Sequence, residues 1–315
     1  IEEPVTIAAG TSVSTARELM EELDVGGLLI LDGERRVQGI LTSRDVLFED
    51  DAARPICELM TTDVITAPEG TSLEEARLIC HERKIEKLPL VDEDGRLVGL
   101  ITTKDIVKRL RYPRATKDEK GRLRVGAAIG VKPGEEDRAE AVVAAGVDVL
   151  VLDIAHGHST NAIEMTRRLR QRFPNVPLIA GNVASAEGTR ALIEAGAQAV
   201  KVGVGPGSIC ITRVVTGFGV PQVTALLNAY EVAHDAGVPL IADGGIRTSG
   251  DLTKALAAGG HTVMIGSLFA GTRESPGKII KRQGRRYKVT RGMASLGATM
   301  SRVDTASDQD WNALV

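Results

Sequence analysis

The chain has 315 residues, 43% hydrophobic and 26% charged, with a formal net charge of −3. That length accommodates two domains of about 100 to 200 residues each, and that balance excludes a disordered chain. No apolar run reaches the roughly 18 residues of a membrane span and no leader pattern is visible, so a soluble, cytoplasmic protein is expected. With one Trp, three Tyr and four Phe, the chain lacks the flat faces of a single-strand binder, and its slightly acidic balance does not fit a duplex binder. Nucleic acid is therefore not an expected partner. Three Cys form no disulfide framework and suit a reducing compartment. The 34 Gly point to tight turns or to backbone approaching a ligand.

The first third is a tandem repeat. Residues 6–47 superpose on residues 66–107 without a gap, identical at 13 of 42 positions. Each copy opens with a Gly-Thr-Ser helix cap. An amphipathic helix follows (Ala16, Leu19, Met20 and Leu23; Ala76, Ile79, Cys80 and, beyond them, Ile85), then two short strands around an Asp/Gly turn. One copy is too small to hide its apolar face, so the two are expected to pack together. Each second strand ends in a matched pair, Thr42 with Asp45 and Thr102 with Asp105. The arrangement resembles a pair of CBS motifs, which implies a regulatory purine nucleotide held through those four residues. The alternative is that the threonines simply cap the following helices. The expected regulatory domain spans residues 1–112, with repeats at 1–50 and 60–110.

After the polar connection at 111–122, apolar runs alternate with helical segments, the pattern of parallel strands covered by helices. Strands are expected at 123–131, 147–155, 177–183, 199–205, 239–244 and 262–268. The intervening helices close at Gly146, Gly196, Gly237 and Gly259. Six such units are two short of a (β/α)8 TIM barrel. The fold expected for 113–315 is thus α/β, an incomplete barrel whose first two strands precede this sequence, with the repeat inserted between them and the rest. An open doubly wound sheet is the alternative. Polar or glycine-rich loops at every strand end favour the barrel, whose chemistry sits there.

Two of those loops, 243–251 and 266–271, follow the last two strands, where barrels commonly hold a ligand phosphate at helix N-termini. A third, GVGPGSICITR, carries Cys210 among small residues where backbone amides and a nearby cation favour the nucleophilic thiolate. Cys57 and Cys80 fall on apolar helical registers and are expected in the core. His156 and His158 lack further ligands at metal spacing. The basic run 281–291 is expected as a solvated hairpin, with polyanion binding the alternative.

Taken with DGGIRTSGD, LDIAHGHS, GNV and RGMASLGATM, the Cys210 loop resembles the inosine monophosphate dehydrogenase and guanosine monophosphate reductase family over the whole chain. The resemblance implies that Cys210 adds to carbon 2 of the purine, with Thr212 helping to activate water or, in the reductase, ammonia. Ser208, Gly245, Gly266 and Ser267 would hold the phosphate, Asp243 the ribose, and Ala294 would face the base, with Gly244 and Met293 also at the substrate. Asp153, Ala155, His156, Asn182, Gly203 and Gly205 would meet NAD, and the carbonyls of Gly205, Gly207 and Cys210 a potassium ion. A homotetramer or octamer is implied as well.

Where family dehydrogenases read YRGMGSLGAM, this chain has Thr290 in place of the Tyr and Ala294 in place of a Gly. Arg291, DGGIRTSGD and the ESPG at 274–277 look more like the dehydrogenase. The flap bearing the water-activating Arg-Tyr pair is expected beyond Val315. The favoured expectation is NAD-dependent oxidation of inosine monophosphate (IMP) to xanthosine monophosphate, in guanine nucleotide biosynthesis. The alternatives are NADPH-dependent deamination of guanosine monophosphate (GMP) and a non-catalytic purine nucleotide sensor.

Overall fold

The computed structural model describes residues 1–292, and the chain divides after Thr116 into two compact units. In the first unit, copy one comprises β1 (Thr6–Ile7), α1 (Val13–Glu22), β2 (Gly27–Leu31), β3 (Val37–Thr42) and α2 (Ser43–Val46). Copy two repeats the order as β4 (Ala67–Pro68), α3 (Leu73–Arg83), β5 (Lys87–Val91), β6 (Leu97–Thr102) and α4 (Thr103–Arg111).

The register repeats along with the order. β2 pairs antiparallel with β3 from Gly27 opposite Thr42, and β5 with β6 from Lys87 opposite Thr102, each with an irregularity one residue before the turn. Asp32 and Asp92 build those turns, each carboxylate accepting two backbone N–H groups at 2.8–3.0 Å. Ser12 and Ser72 cap α1 and α3 as expected. A shared apolar cluster of Leu29 with Leu97 and Leu100 joins the copies, and the Leu97 N–H donates to the Arg35 carbonyl at 2.9 Å. The copies thus pack together because neither closes its own sheet face.

Two expectations need correction. Leu23 is 46% exposed rather than in the α1 stripe. Cys57 is exposed, because the short 3₁₀ turn at Ile56–Glu58 directs Ile56 into the core and leaves the next side chain outside. Cys80 is buried as expected, and burial pushes its thiol up from the ordinary value. The copies also differ in their last helix, four residues in α2 against nine in α4. Arg17 accounts for the early stop: its guanidinium donates to the Val46 and Glu49 carbonyls, taking acceptors that a continuing helix would use.

The second unit alternates β7 (Gly126–Ile129), α5 (Glu135–Ala144), β8 (Val149–Asp153), α6 (Thr160–Arg172), β9 (Leu178–Val183), α7 (Ala186–Glu194) and β10 (Ala199–Val202). It continues with α8 (Thr212–Thr216), α9 (Gln222–Asp235), β11 (Leu240–Asp243), α10 (Ser249–Ala257) and β12 (Thr262–Met264). All six strands are parallel and lie beside their chain neighbours in the order β7 through β12. A doubly wound sheet would reverse direction at a switch point, and this one does not. The sheet is an incomplete TIM barrel. The four closing glycines have φ between +65° and +105°, the left-handed conformation that ends each helix.

Strand alternation sorts the faces. Leu150, Leu152, Leu178, Ala180, Val200, Val202, Leu240 and Ala242 pack under the helices against Met165, Leu169, Leu192 and Leu226. Residues one position off, including Asp153, Lys201 and Asp243, fall on the other face, which in a barrel is the interior. Last come β13 (Ile279–Arg282) and β14 (Arg285–Lys288), the expected exposed hairpin, turned at Gln283 and Gly284 with φ of +49° and +74°. Among the described residues no helix is long and apolar enough to cross a membrane.

Candidate active site

The loop after β10 is shaped by a backbone contact that only glycine permits. A Cβ on Gly203, at φ +147°, would stand 2.1 Å from the Asp243 carbonyl. The chain then turns through Gly207, whose carbonyl accepts the Cys210 N–H at 3.1 Å. Cys210 is exposed, and its Sγ lies 3.3 Å from Oγ1 of Thr212, the first residue of α8. A nucleophile with a hydroxyl at hydrogen-bond distance on one short turn can hold a reacting carbon and a second small reactant side by side.

Beside this turn opens a cleft of about 1410 Å³. Ser208, Asp243, Gly244, Gly245, Gly266 and Ser267 all line it, so the loops after β10, β11 and β12 do converge as expected. Cys210 is not itself a lining residue; it follows Ile209, which is. Glu274 and Thr290 line it as well. Lys288, expected only as one of the solvated cations of the run 281–291, instead ties down the 272–275 segment by donating to the carbonyls of Thr272, Arg273 and Ser275 at 2.5–3.2 Å.

The residues just before α10 are tied back to its first turn. Asp251 accepts the N–H groups of Arg247 and Thr248 and the Thr248 hydroxyl at 3.0–3.2 Å. These bonds, the Arg247 amide foremost, hold its carboxyl below the usual range.

Four consecutive strands send one side chain each to a network at the barrel interior. Lys201 of β10, 1% exposed, bonds Asp153 of β8 at 2.8 Å and Asp243 of β11 at 2.5 Å. Asn182 of β9 donates to Asp243 at 2.9 Å and to the Gly203 carbonyl at 2.8 Å. Gln222 on α9 donates to the Val202 and Asp243 carbonyls at 2.9 and 3.3 Å. The side-chain oxygens of Asn182 and Gln222 are buried without a partner. Lys201 and Gln222 were missed, although a lysine inside Ala-Val-Lys-Val was a signal: a charge in a doubly covered strand needs a purpose.

The Asp153 carboxylate is about half exposed, and Ala155, His156 and His158 lie on the surface just beyond it. The two imidazoles are edge to face at 6.4 Å, and no cluster of three metal-ligating side chains occurs among the described residues. Among the groups expected to meet NAD, Asn182 has an orphaned oxygen, an acceptor suited to an N–H or O–H donor. Carbonyls at Gly205, Gly207 and Cys210 are the neutral oxygen ligands an alkali cation takes, although the Gly207 oxygen already accepts one amide. Met293 and Ala294 lie outside the described residues.

In the repeat unit, Thr42 donates its N–H and hydroxyl to Asp45 at 2.6 and 2.8 Å, and Thr102 does the same to Asp105 at 3.0 and 2.7 Å. Both pairs are capping boxes at the starts of α2 and α4.

The IMP dehydrogenase / GMP reductase domain family matches residues 67–313, and the CBS domain family matches residues 1–51. The chain belongs to the IMP dehydrogenase / GMP reductase family. It is 56% identical over 305 residues to an inosine-5'-monophosphate dehydrogenase of Aquifex aeolicus, covering 96% of this chain and 62% of that protein. Identity to one of Nitrosopumilus maritimus is 53%, covering 96% and 63%. The chain thus spans somewhat less than two thirds of the length of these relatives. Among solved structures, a GMP reductase variant from Trypanosoma brucei in complex with guanosine 5'-monophosphate superposes with a TM-score of 0.85 at 44% identity, covering 96% of this chain and 65% of that one. A GMP reductase from the same organism in complex with guanosine 5'-triphosphate gives 0.78 at 46%, covering 88% and 68%.

Proposed function

We propose that this chain carries the nucleotide-oxidising site of an IMP dehydrogenase. The observation that bears most weight is the Cys210–Thr212 pair, on a turn beside a cleft whose far end combines Asp243 with two glycine loops. Asp243 would accept the ribose hydroxyls, while Ser208, Gly244, Gly245, Gly266 and Ser267 receive the phosphate. The Cys210 thiolate then adds to carbon 2 of the purine, forming a C–S bond, and the hydrogen on that carbon departs as hydride. NAD, when bound, accepts the hydride. Thr212 stands where it can steer water toward the same carbon, which releases xanthosine monophosphate and returns the thiol. Asp153, Ala155, His156, Asn182, Gly203 and Gly205 are the residues assigned to the dinucleotide. A potassium ion on the Gly205, Gly207 and Cys210 carbonyls would hold the turn open.

The proposed boundaries are 1–112 for a regulatory nucleotide sensor and 113–315 for the catalytic part, in a cytoplasmic homotetramer or octamer. For Thr42, Asp45, Thr102 and Asp105 the reading is that a purine nucleotide competes for carboxylates that otherwise cap helices. Heat on adding ATP or GTP, lost in the Asp45→Asn, Asp105→Asn double variant, supports that reading; no heat with either contradicts it.

GMP reduction is a second reading, favoured by the solved structures at up to TM-score 0.85. Reduced-nicotinamide absorbance separates the readings. In a protein that includes the flap expected beyond Val315, growth with IMP and NAD is expected, decay with GMP and NADPH would mark the reductase, and silence with both would mark a sensor.

A further inference from the structure

We infer that Lys201 is a positioning residue that couples the two ligand sites, an inference resting on the assignment of Asp243 to the mononucleotide and Asp153 to the dinucleotide. Lys201 is the largest fully buried side chain among the described residues. Its ammonium bonds carboxylates three strands apart, one at 2.8 Å and the other at 2.5 Å. Both partners remain partly open, with 47% of the Asp153 side chain and 24% of the Asp243 side chain exposed. One cation is therefore shared between two anions, each of which has another face turned outward.

The surroundings keep the ammonium in place. Gly181 of β9 lies opposite Lys201 in the ladder, and a Cβ there would fall 2.6 Å from the Lys201 carbonyl and 2.7 Å from its Cβ. Asn182 holds the same Asp243 oxygen that Lys201 holds, Oδ2. The ammonium can therefore shift its charge between Asp153 and Asp243 only by small motions of its tip. Anything that weakens its bond to one carboxylate strengthens its bond to the other, because the charge is poorly screened where water is excluded. A ligand donating hydrogen bonds to Asp153 thereby alters how freely Asp243 can accept the ribose hydroxyls, and the reverse holds by linkage.

The decisive substitution is on the dinucleotide side. Asp153→Asn removes one anion, leaves the whole ammonium to Asp243, and should weaken IMP binding measured without NAD by about three- to tenfold, toward the low end of the coupling seen between contacting residues. In a Lys201→Gln background, the same Asp153→Asn change should move IMP affinity by less than about twofold. A purely structural lysine would predict no effect of Asp153→Asn on IMP in either background. Calorimetry of IMP on the wild type, the two single variants and the double variant reads all four corners, with thermal unfolding checking that each is folded. If Lys201→Gln fails to fold, Asp153→Asn alone still decides. Unchanged IMP affinity there, with the Cys210 adduct forming in the wild type, overturns the coupling and leaves the proposed function standing. Absence of IMP binding by the wild type overturns both.

Discussion

In the repeat unit the Asp45 and Asp105 carboxylates each take both donors of the threonine three residues earlier. In the barrel unit Asn182 and Gln222 keep buried oxygens without a partner, and a cysteine stands exposed beside a hydroxyl. Similar polar residues at strand ends thus do different work. Where donors and acceptors satisfy one another the group finishes a helix; where they are held apart by a scaffold, something else must complete them. That contrast leaves the unsatisfied groups in the barrel and gives the repeat's carboxylates satisfied capping partners.

The contrast breaks first at the nucleophile. Cys210→Ala should lower reduced-nicotinamide formation by at least about 10³-fold while leaving IMP affinity within about twofold, because Cys210 is not itself among the residues lining the cleft. Retained turnover would move the chemistry elsewhere. Next is the network beneath it: Lys201→Met leaves Asp153 and Asp243 without their cation. We expect a loss of about 3 kcal/mol in urea unfolding, the low end for breaking a buried pair, since both carboxylates are partly solvated. An unchanged midpoint would mean that the strand ends are held without it.

Effects in the repeat should be smaller. Thr102→Ala removes the cap of α4 at a cost of about 1 kcal/mol, and a loss near zero would show that the helix is fixed by packing on Ile106 alone. The smallest effect is acidic. Glu75 accepts the Ser72 N–H and hydroxyl, which hold its carboxyl below its ordinary value of 4.5. A depressed folded value means that its stabilisation is complete above 4.5, declines as pH falls below it, and is gone beneath the folded value. Glu75→Gln should therefore flatten the acid limb of thermal stability without moving the neutral plateau; an unaltered limb would show that the box is not titrating.

Much of this was legible because the chain repeats its physics. A period of 60 residues set the paired registers of β2–β3 and β5–β6, and runs such as Val-Leu-Val-Leu-Asp marked buried parallel strands ending in a polar group. The glycine loops and Cys210 were legible from spacing and residue type. Lys201 was not, since a single sequence does not show which face of a strand meets Asp153 and Asp243, residues 48 and 42 positions away. Cys57 misled for a local reason: a 3₁₀ turn has a different period from the helix its neighbours suggested. The role of Asp251 in tying down Arg247 and Thr248 was likewise not legible from the sequence of its loop.

The most direct test is to incubate the protein with IMP and NAD, quench it in acid, and map its peptides by mass. The account predicts a purine nucleotide joined through sulfur to the peptide containing Cys210, and to neither of those containing Cys57 and Cys80. Saturable IMP binding with no adduct and no reduced nicotinamide, or an adduct on a different cysteine, would contradict it.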